Sequence, residues 1–562
     1  MELKAWPYHE ARQIIEKLDR ERTMGKARKH DHVLLQTGFG PSGLPHMGTF
    51  GEVARTSWVR QALERIDPAL ETKLYAFSDD MDGMRGVPLD ADVALLREHL
   101  GKPLSQVPDP FGEHESFAAH MNAKLCEFLD SFGFEYEFKS SAEQYASGVF
   151  NEGLRRIVDR YDEVRELVTA TLRGDNRETW SPFLPVCEHC GRVNTTRVTG
   201  LDRDSYTVSY ACDRPFNAKI LSWEPHEGAK AKTEGEGAPT YYVSQQRVHG
   251  CGGEGTVPVT DGHVKVGWKV DWAMRWYVFG VDYEMYGKDL IDSAEVSAKI
   301  VSALGGEPPV GMVYEWFNDE HNRSISKTKG NGLTIDQWLE HGPIESLSWF
   351  VYQTPSKAKR LYAGIIPQTV DKFLEDRGRF GREEEAEQVN NPIQFVEAAK
   401  LKAGKQVGYE SDLTFGVIVN LVSVLGTDDR ELVWDYLLRY DPQAREHNAE
   451  ILDRMISCAI NVYRDVVAPT LTFEAPPEEF APALEQLRGF LASYEGDDPE
   501  ALQAACYAAG KDHDLKLGQW FRAMYRLLIG QDRGPRLGTF IHLYGVSETL
   551  ALIDSRLAEL SA

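Results

Sequence analysis

Four groups of residues in this sequence have the types and spacing to do chemistry. The first is His46, which follows glycines at 38, 40 and 43 and prolines at 41 and 45. Glycines let backbone N–H groups reach a ligand directly, and a helix starting there adds unpaired N–H groups and a dipole. Such a turn suits an anion, a nucleotide phosphate above all. The second is the pair Lys327 and Lys329, in a charged loop reaching Gly330. Lysine is a flexible point charge that can follow phosphate charge as it moves, on a loop able to close for the chemical step. The third group crowds Trp268 and Trp272, the acids Asp271 and Glu284, and the Gly287-Lys288-Asp289 turn into one stretch. Ring faces beside carboxylates suit an alkylammonium group, the rings contributing about 0.5–2 kcal/mol and a partly buried acid the discrimination. The fourth is Cys187-x-x-Cys190, then Cys212, then His249-Gly250-Cys251. This is tetrahedral zinc spacing, with Cys187, Cys190, Cys212 and Cys251 as ligands and His249 as the alternate fourth.

The elements around these residues read as a nucleotide fold with an insertion and a helical tail. Residues 33–35 are a short apolar run that predicts a buried strand, and from His46 an apolar face of Met47, Phe50, Val53, Ala54 and Trp58 predicts a helix. Residues 72–78 predict a second strand, which runs into Asp79, Asp80 and Asp82. Strand, helix, strand of this length is a βαβ unit, and ligands of such sheets sit at the carboxyl ends of the strands. The expected division is residues 1–100 for the first half of this domain with a leading helix and 101–262 for an insertion. The cysteine module, about 183–255, lies inside that insertion, the second half of the nucleotide domain follows at 263–355, and an α-helical domain fills 356–562. The stretch 224–239 is polar and Gly-rich and is expected to be an irregular, flexible loop.

Composition narrows the class. In 562 residues, 42% hydrophobic, there is no apolar run long enough to span a bilayer, and the N-terminal stretch carries acids unlike a targeting signal. Seven cysteines with one close pair point to reduced thiols and a cytoplasmic protein. A formal net charge of −25 argues against indiscriminate nucleic-acid binding. A selective RNA partner stays compatible through a local basic footprint such as 357–362 with Lys372, Arg377, Arg379 and Arg382.

The turn Pro41, Ser42, Gly43, His46, Met47, Gly48, Thr49 resembles the "HIGH" signature of class I aminoacyl-tRNA synthetases, with Thr49 where many members carry a second His. Residues 324–328, Ser-Ile-Ser-Lys-Thr, resemble the "KMSKS" loop, with Ser324 in the first Lys position. Together with FSDDMDGMRGVP, the cysteine module, GWKVDWAMRW and EMYGKDL, the pattern is most similar to the class I lysyl-tRNA synthetases over most of residues 33–332. The residue after GKD is usually His in that family and is Leu290 here, and QDRGPRLGTFIHLYG resembles the closing motif of an anticodon-reading helical cage.

The resemblance implies a Rossmann-like α/β catalytic domain with an α/β zinc-ribbon insertion and an all-α anticodon-binding domain. It implies catalytic roles for His46, Thr49, Lys327 and Lys329. ATP contacts would come from Gly38, Gly40, Pro41, Ser42, Gly43, His46, Gly48, Lys288, Asp289, Ser326 and Lys327. Lysine contacts would come from Gly38, Gly40, Asp80, Arg85, Trp268, Asp271 and Glu284. Expected partners are ATP with Mg²⁺, L-lysine and tRNA(Lys), with structural Zn²⁺, no membrane and a monomeric chain. Arginyl- or glutamyl-type enzymes, a compact nucleotidyl-transferring ligase without tRNA, and a synthetase-like RNA-binding or regulatory protein remain as alternatives. On this reading, loss of the His46 imidazole abolishes adenylate formation and leaves unfolding nearly unchanged.

Overall fold

The structure is a computed structural model, and it describes the whole chain except residues 1, 90, 173–175, 234–239, 324, 326–332, 497 and 562. The chain forms two compact units, Glu2–Gly332 with Thr354–Lys359, and Leu333–Gln353 with Arg360–Ala562.

In the first unit the apolar run at 33–35 becomes strand β1, Val33–Phe39, buried along all but one position. It pairs in parallel with β2, Thr72–Ser78, in the register Val33↔Thr72 to Phe39↔Ser78, and β2 pairs in parallel with Glu137–Ser140. On the other side Leu35 bridges Tyr283, which bridges Val310, and Tyr286–Gly287 pairs in parallel with Val313–Tyr314. The β1–β2 and Gly287↔Tyr314 registers therefore put the glycine turn, the Asp79 cluster, Lys288 and the segment after Tyr314 at the carboxyl ends of neighbouring strands, where parallel α/β sheets bind ligands.

The leading helix is α1, Trp6–Thr23, and the helix after the turn, α2 (Met47–Ile66), departs from the one-faced pattern read from the sequence. Its buried residues include Phe50, Val53, Trp58 and Val59 but also Arg55, Thr56 and Ser57, so it is enclosed on more than one side. That explains a helix whose apolar residues do not form a clean stripe.

Residues 197–258 form two further sheets, one of them shared with Gly86–Val87. Glu254–Pro258, Thr207–Ala211 and Arg197–Asp202 form an antiparallel sheet around which the cysteines lie. Phe216–Ser222 lies between Gly86–Val87 and Thr240–Val248, and Thr240–Val248 pairs on with Lys230–Thr233. The last strand lies inside the stretch expected to be irregular. Its alternating Lys230 and Lys232 give a charged, exposed edge strand, while residues 234–239 lie outside the described residues.

The second unit is helical. Its C-terminal core packs Leu487, Leu502, Trp520, Leu527, Phe540 and Ile553 from successive helices. The supposed basic footprint is partly consumed inside it, since Arg377 pairs with Glu397 at 2.8 Å and Arg379 with Asp376 and Glu383. Among the described residues no helix is long and apolar enough to cross a membrane.

Candidate active site and metal centres

The glycine turn opens in front of its own backbone. A Cβ added at Gly38, Gly40 or Gly43 meets nothing within 4 Å, so the backbone there faces open space, with Gly38 N–H already given to Glu52. At Gly48 the reason for glycine differs, because a Cβ would stand 2.7 Å from His46 Cε1. The imidazole covers that position because His46 is the N-cap of α2: its Nδ1 accepts from the N–H of Gly48 at 2.9 Å and of Thr49 at 3.3 Å. Thr49 completes the box, its Oγ1 accepting from His46 N–H at 3.4 Å. An Nδ1 engaged as acceptor places the ring proton on Nε2, so the histidine at the mouth of the turn carries a donor in neutral form. Thr49 is thus placed as the capping partner of the signature histidine.

A residue passed over in the sequence ties the two halves of the sheet. The Glu52 carboxylate accepts from Gly38 N–H at 2.9 Å and from Tyr314 Oη–H at 2.7 Å. Burial raises its pKa to about 7 against both hydrogen bonds. Tyr314 is in register with Gly287, and Lys288, which follows, pairs with Glu315 at 2.7 Å. The signal was present in sequence as an acid followed by Arg55 inside a largely apolar helix. Ser326, Lys327 and Lys329, expected to act from the loop beyond, lie outside the described residues, as does Ser324.

The expected ammonium-binding acids separate into different environments. Asp80 is buried with both oxygens engaged: Oδ1 accepts from Ala142 N–H, and Oδ2 from Ser140 at 2.6 Å and Asn122 at 3.0 Å. Asp271 is fully buried, accepting from Tyr145 at 2.5 Å and pairing with Arg275 at 3.2 Å. Both therefore hold the frame. Glu284, 4% exposed, takes Gln36 Nε2–H at 2.9 Å and Trp276 Nε1–H at 2.6 Å on the same oxygen, Oε2. Burial raises its pKa, opposed mainly by Arg275. Trp268 is 38% exposed and stacks on Trp272 at 5.1 Å, and Trp272 packs on Trp276, which donates to Glu284. A ring face open to solvent thus leads down to a buried carboxylate. Arg85 is exposed, with its carbonyl held by Lys219 N–H at the edge of the insertion's sheet, and Asp289 is exposed beside Lys288.

The four cysteines form one cluster. Cys187 and Cys251 sulfurs lie 3.6 Å apart, Cys190 and Cys212 sulfurs 3.8 Å, and all four lie within 4.8 Å of one another. Sulfurs each about 2.3 Å from one tetrahedral ion would be about 3.8 Å apart, so the donor set fits such a metal. His249, the alternate ligand, is not in the cluster found among the described residues. Glycines make the knuckles possible: Gly191 and Gly252 have φ +72° and +78°.

A second cluster escaped the sequence reading. Glu113 and His114, in the loop before the helix Phe117–Ser131, and His120, in the helix's first turn, bring ligand atoms within 4.8 Å of one another. His120 is 5% exposed, and its Nδ1 lies 3.3 Å from Asp109 and 3.7 Å from Glu113. Two imidazoles with carboxylates could hold a divalent ion. The pattern, Asp109 through His120, was legible only as scattered polar residues because the loop must turn back on itself to join them.

The family model for class I tRNA synthetases (K) matches residues 4–400. The chain is similar to the lysine–tRNA ligase of Roseobacter denitrificans, 40% identical over 560 residues, 99% of this chain and 97% of that protein. It is likewise similar to the lysine–tRNA ligase of Rickettsia bellii, 38% identical over 558 residues, 99% of this chain and 98% of that protein. A solved glutamate tRNA ligase from Elizabethkingia meningosepticum aligns over 94% of this chain and 99% of its own with 11% identity and a TM-score of 0.34. With a family model spanning most of the sequence, and relatives alike over nearly their whole lengths, the chain belongs to the class I lysyl-tRNA synthetase family.

Proposed function

We propose that the chain joins L-lysine to tRNA(Lys), first making lysyl-adenylate from lysine and ATP with release of pyrophosphate, then passing lysine to the tRNA 3′ end. The reading is carried by one coincidence: whole-length similarity to two lysine–tRNA ligases in a chain whose glycine-and-imidazole turn follows the strand that bridges Tyr283, the neighbour of the ring-paired Glu284. N–H groups of the 40–43 turn receive ATP phosphates. His46 Nε2–H donates to an α-phosphate oxygen while a lysine carboxylate oxygen bonds to phosphorus and the bond to pyrophosphate breaks. Lys288, with Lys327 and Lys329 outside the described residues, balances charge on the leaving pyrophosphate. Mg²⁺ arrives on the ATP phosphates and neutralises part of that charge. The 356–562 helices supply the surface that reads tRNA.

In this reading the lysine side chain lies along Trp268 with its ammonium towards Glu284. A glutamate side chain would bring a second carboxylate to the same buried acid and be repelled. Glu284→Gln is expected to raise KM for lysine about 10–100-fold, the loss of a charge-assisted hydrogen bond of about 1.5–3 kcal/mol. Steady-state exchange with varied lysine measures it, and an unchanged KM removes Glu284 from the pocket.

The Cys187–Cys251 cluster is a zinc ribbon holding one structural Zn²⁺, which four protein thiolates close off from catalysis. Its binding contributes on the order of 10 kcal/mol to folding of the small sheet around it. Elemental analysis should find zinc that Cys187→Ser with Cys190→Ser removes. Zinc retained by that variant would place the ion elsewhere, with the His120 cluster the next place to look.

The overall test is ATP–pyrophosphate exchange with tRNA present, followed by charging of labelled amino acid onto tRNA. Exchange and charging with lysine are expected. Exchange that follows arginine or glutamate instead, or lysine activation that never reaches tRNA, overturns the proposal.

A further inference from the structure

The sheet of the first unit parts before it reaches its carboxyl ends. On one side β1 keeps its ladder to the last residue: Phe39 stands opposite Ser78, and Asp79 N–H donates to Phe39 O at 2.9 Å. On the other side the ladder stops sooner. Gln36 N–H donates to Tyr283 O at 2.9 Å, and the next N–H on that edge of a parallel pair is that of Gly38. It meets no backbone carbonyl and goes instead to Glu52 Oε1 at 2.9 Å. Beyond Tyr283 the second half stays paired with itself, Tyr286 N–H donating to Met312 O at 3.2 Å and Gly287 standing opposite Tyr314. The two halves therefore separate after Gln36. The chain leaves β1 through α2 for β2 on one side while Tyr283 lies on the other, so the parting is the switch point where open α/β sheets hold ligands.

One carboxylate spans that parting. Glu52 Oε1 accepts from Gly38 of the first half, and Oε2 accepts from Tyr314 Oη–H of the second at 2.7 Å. Glu52 lies in the second turn of α2, the helix whose N-cap is His46. Holding its carboxylate from both sides fixes the first turns of α2 against both halves at once. The imidazole is tied to those same turns through Gly48 N–H and Thr49 N–H.

The same carboxylate has a second, separable task. Arg55, on the same face of α2, is buried with its guanidinium 5.1 Å from the centre of the Tyr314 ring. Its Nε and Nη2 have no hydrogen-bond partner among the described residues. Burial lowers the Arg55 pKa to about 10, and Tyr314 and Glu52 oppose that fall. The length of the Glu52 side chain thus serves the span between the halves, and its charge serves the buried guanidinium.

We propose, resting on the lysine–tRNA ligase reading above, that Glu52 is a positioning residue for adenylate formation. By joining Gly38 to Tyr314 across the parted sheet, it holds His46 where the α-phosphate takes its hydrogen bond. Both its oxygens are committed to protein donors, so it acts through α2 and the glycine turn and touches no reacting atom. A misplacement of about 1 Å in such a frame costs about 10²-fold in rate. That loss falls on kcat and leaves KM in place, because the contact it spoils is made fully only in the transition state.

The test is lysine-dependent pyrophosphate exchange by the full chain at varied ATP and lysine, with urea unfolding beside it. Glu52→Asp keeps the charge but is one methylene too short to reach both donors. It should lower kcat about 10²-fold with both KM values little changed. Glu52→Gln keeps the span, since its amide oxygen accepts from Gly38 N–H and its NH₂ donates to Tyr314 Oη. It should hold kcat within a few-fold of wild type yet lower the urea midpoint more than Glu52→Asp does, because Arg55 loses its acid. Activity and stability then rank the two variants in opposite orders, which a purely structural role would not produce. Tyr314→Phe removes the far anchor and leaves its ring beside Arg55. It should lower kcat about tenfold, and added to Glu52→Asp it should cost nothing more, because both cut one bridge. Should Glu52→Asp fail to fold, Tyr314→Phe carries the test alone, and wild-type kcat there overturns the assignment. So does a Glu52→Asp loss that appears in KM for ATP, a Glu52→Gln variant as slow as Glu52→Asp, or losses that multiply in the double variant. A wild-type chain without lysine-dependent exchange overturns the ligase reading and the role of Glu52 with it, whereas wild-type exchange that survives both Glu52→Asp and Tyr314→Phe sinks Glu52 alone.

Discussion

Replacing His46 by asparagine is expected to lower lysine-dependent pyrophosphate exchange about 10²–10³-fold while leaving the thermal unfolding midpoint in place. The two effects separate because the side chain does two jobs with two nitrogens. Nδ1 caps α2 by accepting from Gly48 and Thr49 N–H groups, and Asn is among the best replacements for that role. In the proposed mechanism Nε2–H is the donor offered to developing phosphate charge, and Asn has nothing at that distance. His46→Ala removes both functions, so it should lose the same activity and also about 1 kcal/mol of stability. This revises the expectation from sequence that the alanine variant unfolds like the wild type, since the capping bonds give the imidazole a structural share. Exchange assays on both variants, beside thermal scans, decide the matter. Asparagine activity within a few-fold of wild type would remove the imidazole from the chemistry and leave it only a cap.

The strand-turn-helix frame was readable because local signals agree: an apolar run, glycines where a Cβ is unwanted, and a helical apolar face all fall in one short stretch. The cysteine cluster was readable because its thiols are few, with one pair separated by two residues. The acids were not. Asp80 is engaged by Ser140 and Asn122, and these partners arrive from distant parts of the chain. Nothing near Asp80 in sequence tells a buried hydrogen-bond hub from a ligand. Asp271 offered a local hint, since Arg275 is one helical turn away, and an i,i+4 acid–base pair on a largely apolar helix predicts an internal ion pair. His120 needed the fold itself, because a loop folds Asp109 beneath it, whereas Glu52 stood out as an acid on a largely apolar helix and only its partner Tyr314, reaching it across the sheet, was hidden.

Arg275→Met should be the most destabilising single change in the first unit, by about 3–5 kcal/mol. Its guanidinium is 1% exposed, lies over the Phe77 ring at 4.4 Å, and pairs with Asp271 and Asp79 at 3.2 Å each. Methionine fills much of the volume but leaves two carboxylates buried beside each other. Asp79 already has its pKa raised by burial, with Arg275 the main group opposing that rise. Removing the cation lifts it further above its unfolded value. A carboxyl whose folded pKa is raised favours the native state at low pH and loses that advantage as pH climbs through the folded pKa. The deficit should therefore be small near pH 5 and larger near pH 8, whereas loss of a simple surface ion pair, whose carboxyl titrates below both values, would give the same deficit at each. Urea unfolding followed by tryptophan fluorescence, which samples Trp272 and Trp276 on the same helix, measures it at both values. Adding Asp79→Asn and Asp271→Asn to Arg275→Met should restore most of the loss at pH 8, because the penalty comes from uncompensated charge and not from missing contacts. If the triple variant is as unstable as the single one, the arginine contributes by packing, and the charge cluster is not what fixes the helix Trp268–Phe279 beneath the proposed lysine pocket.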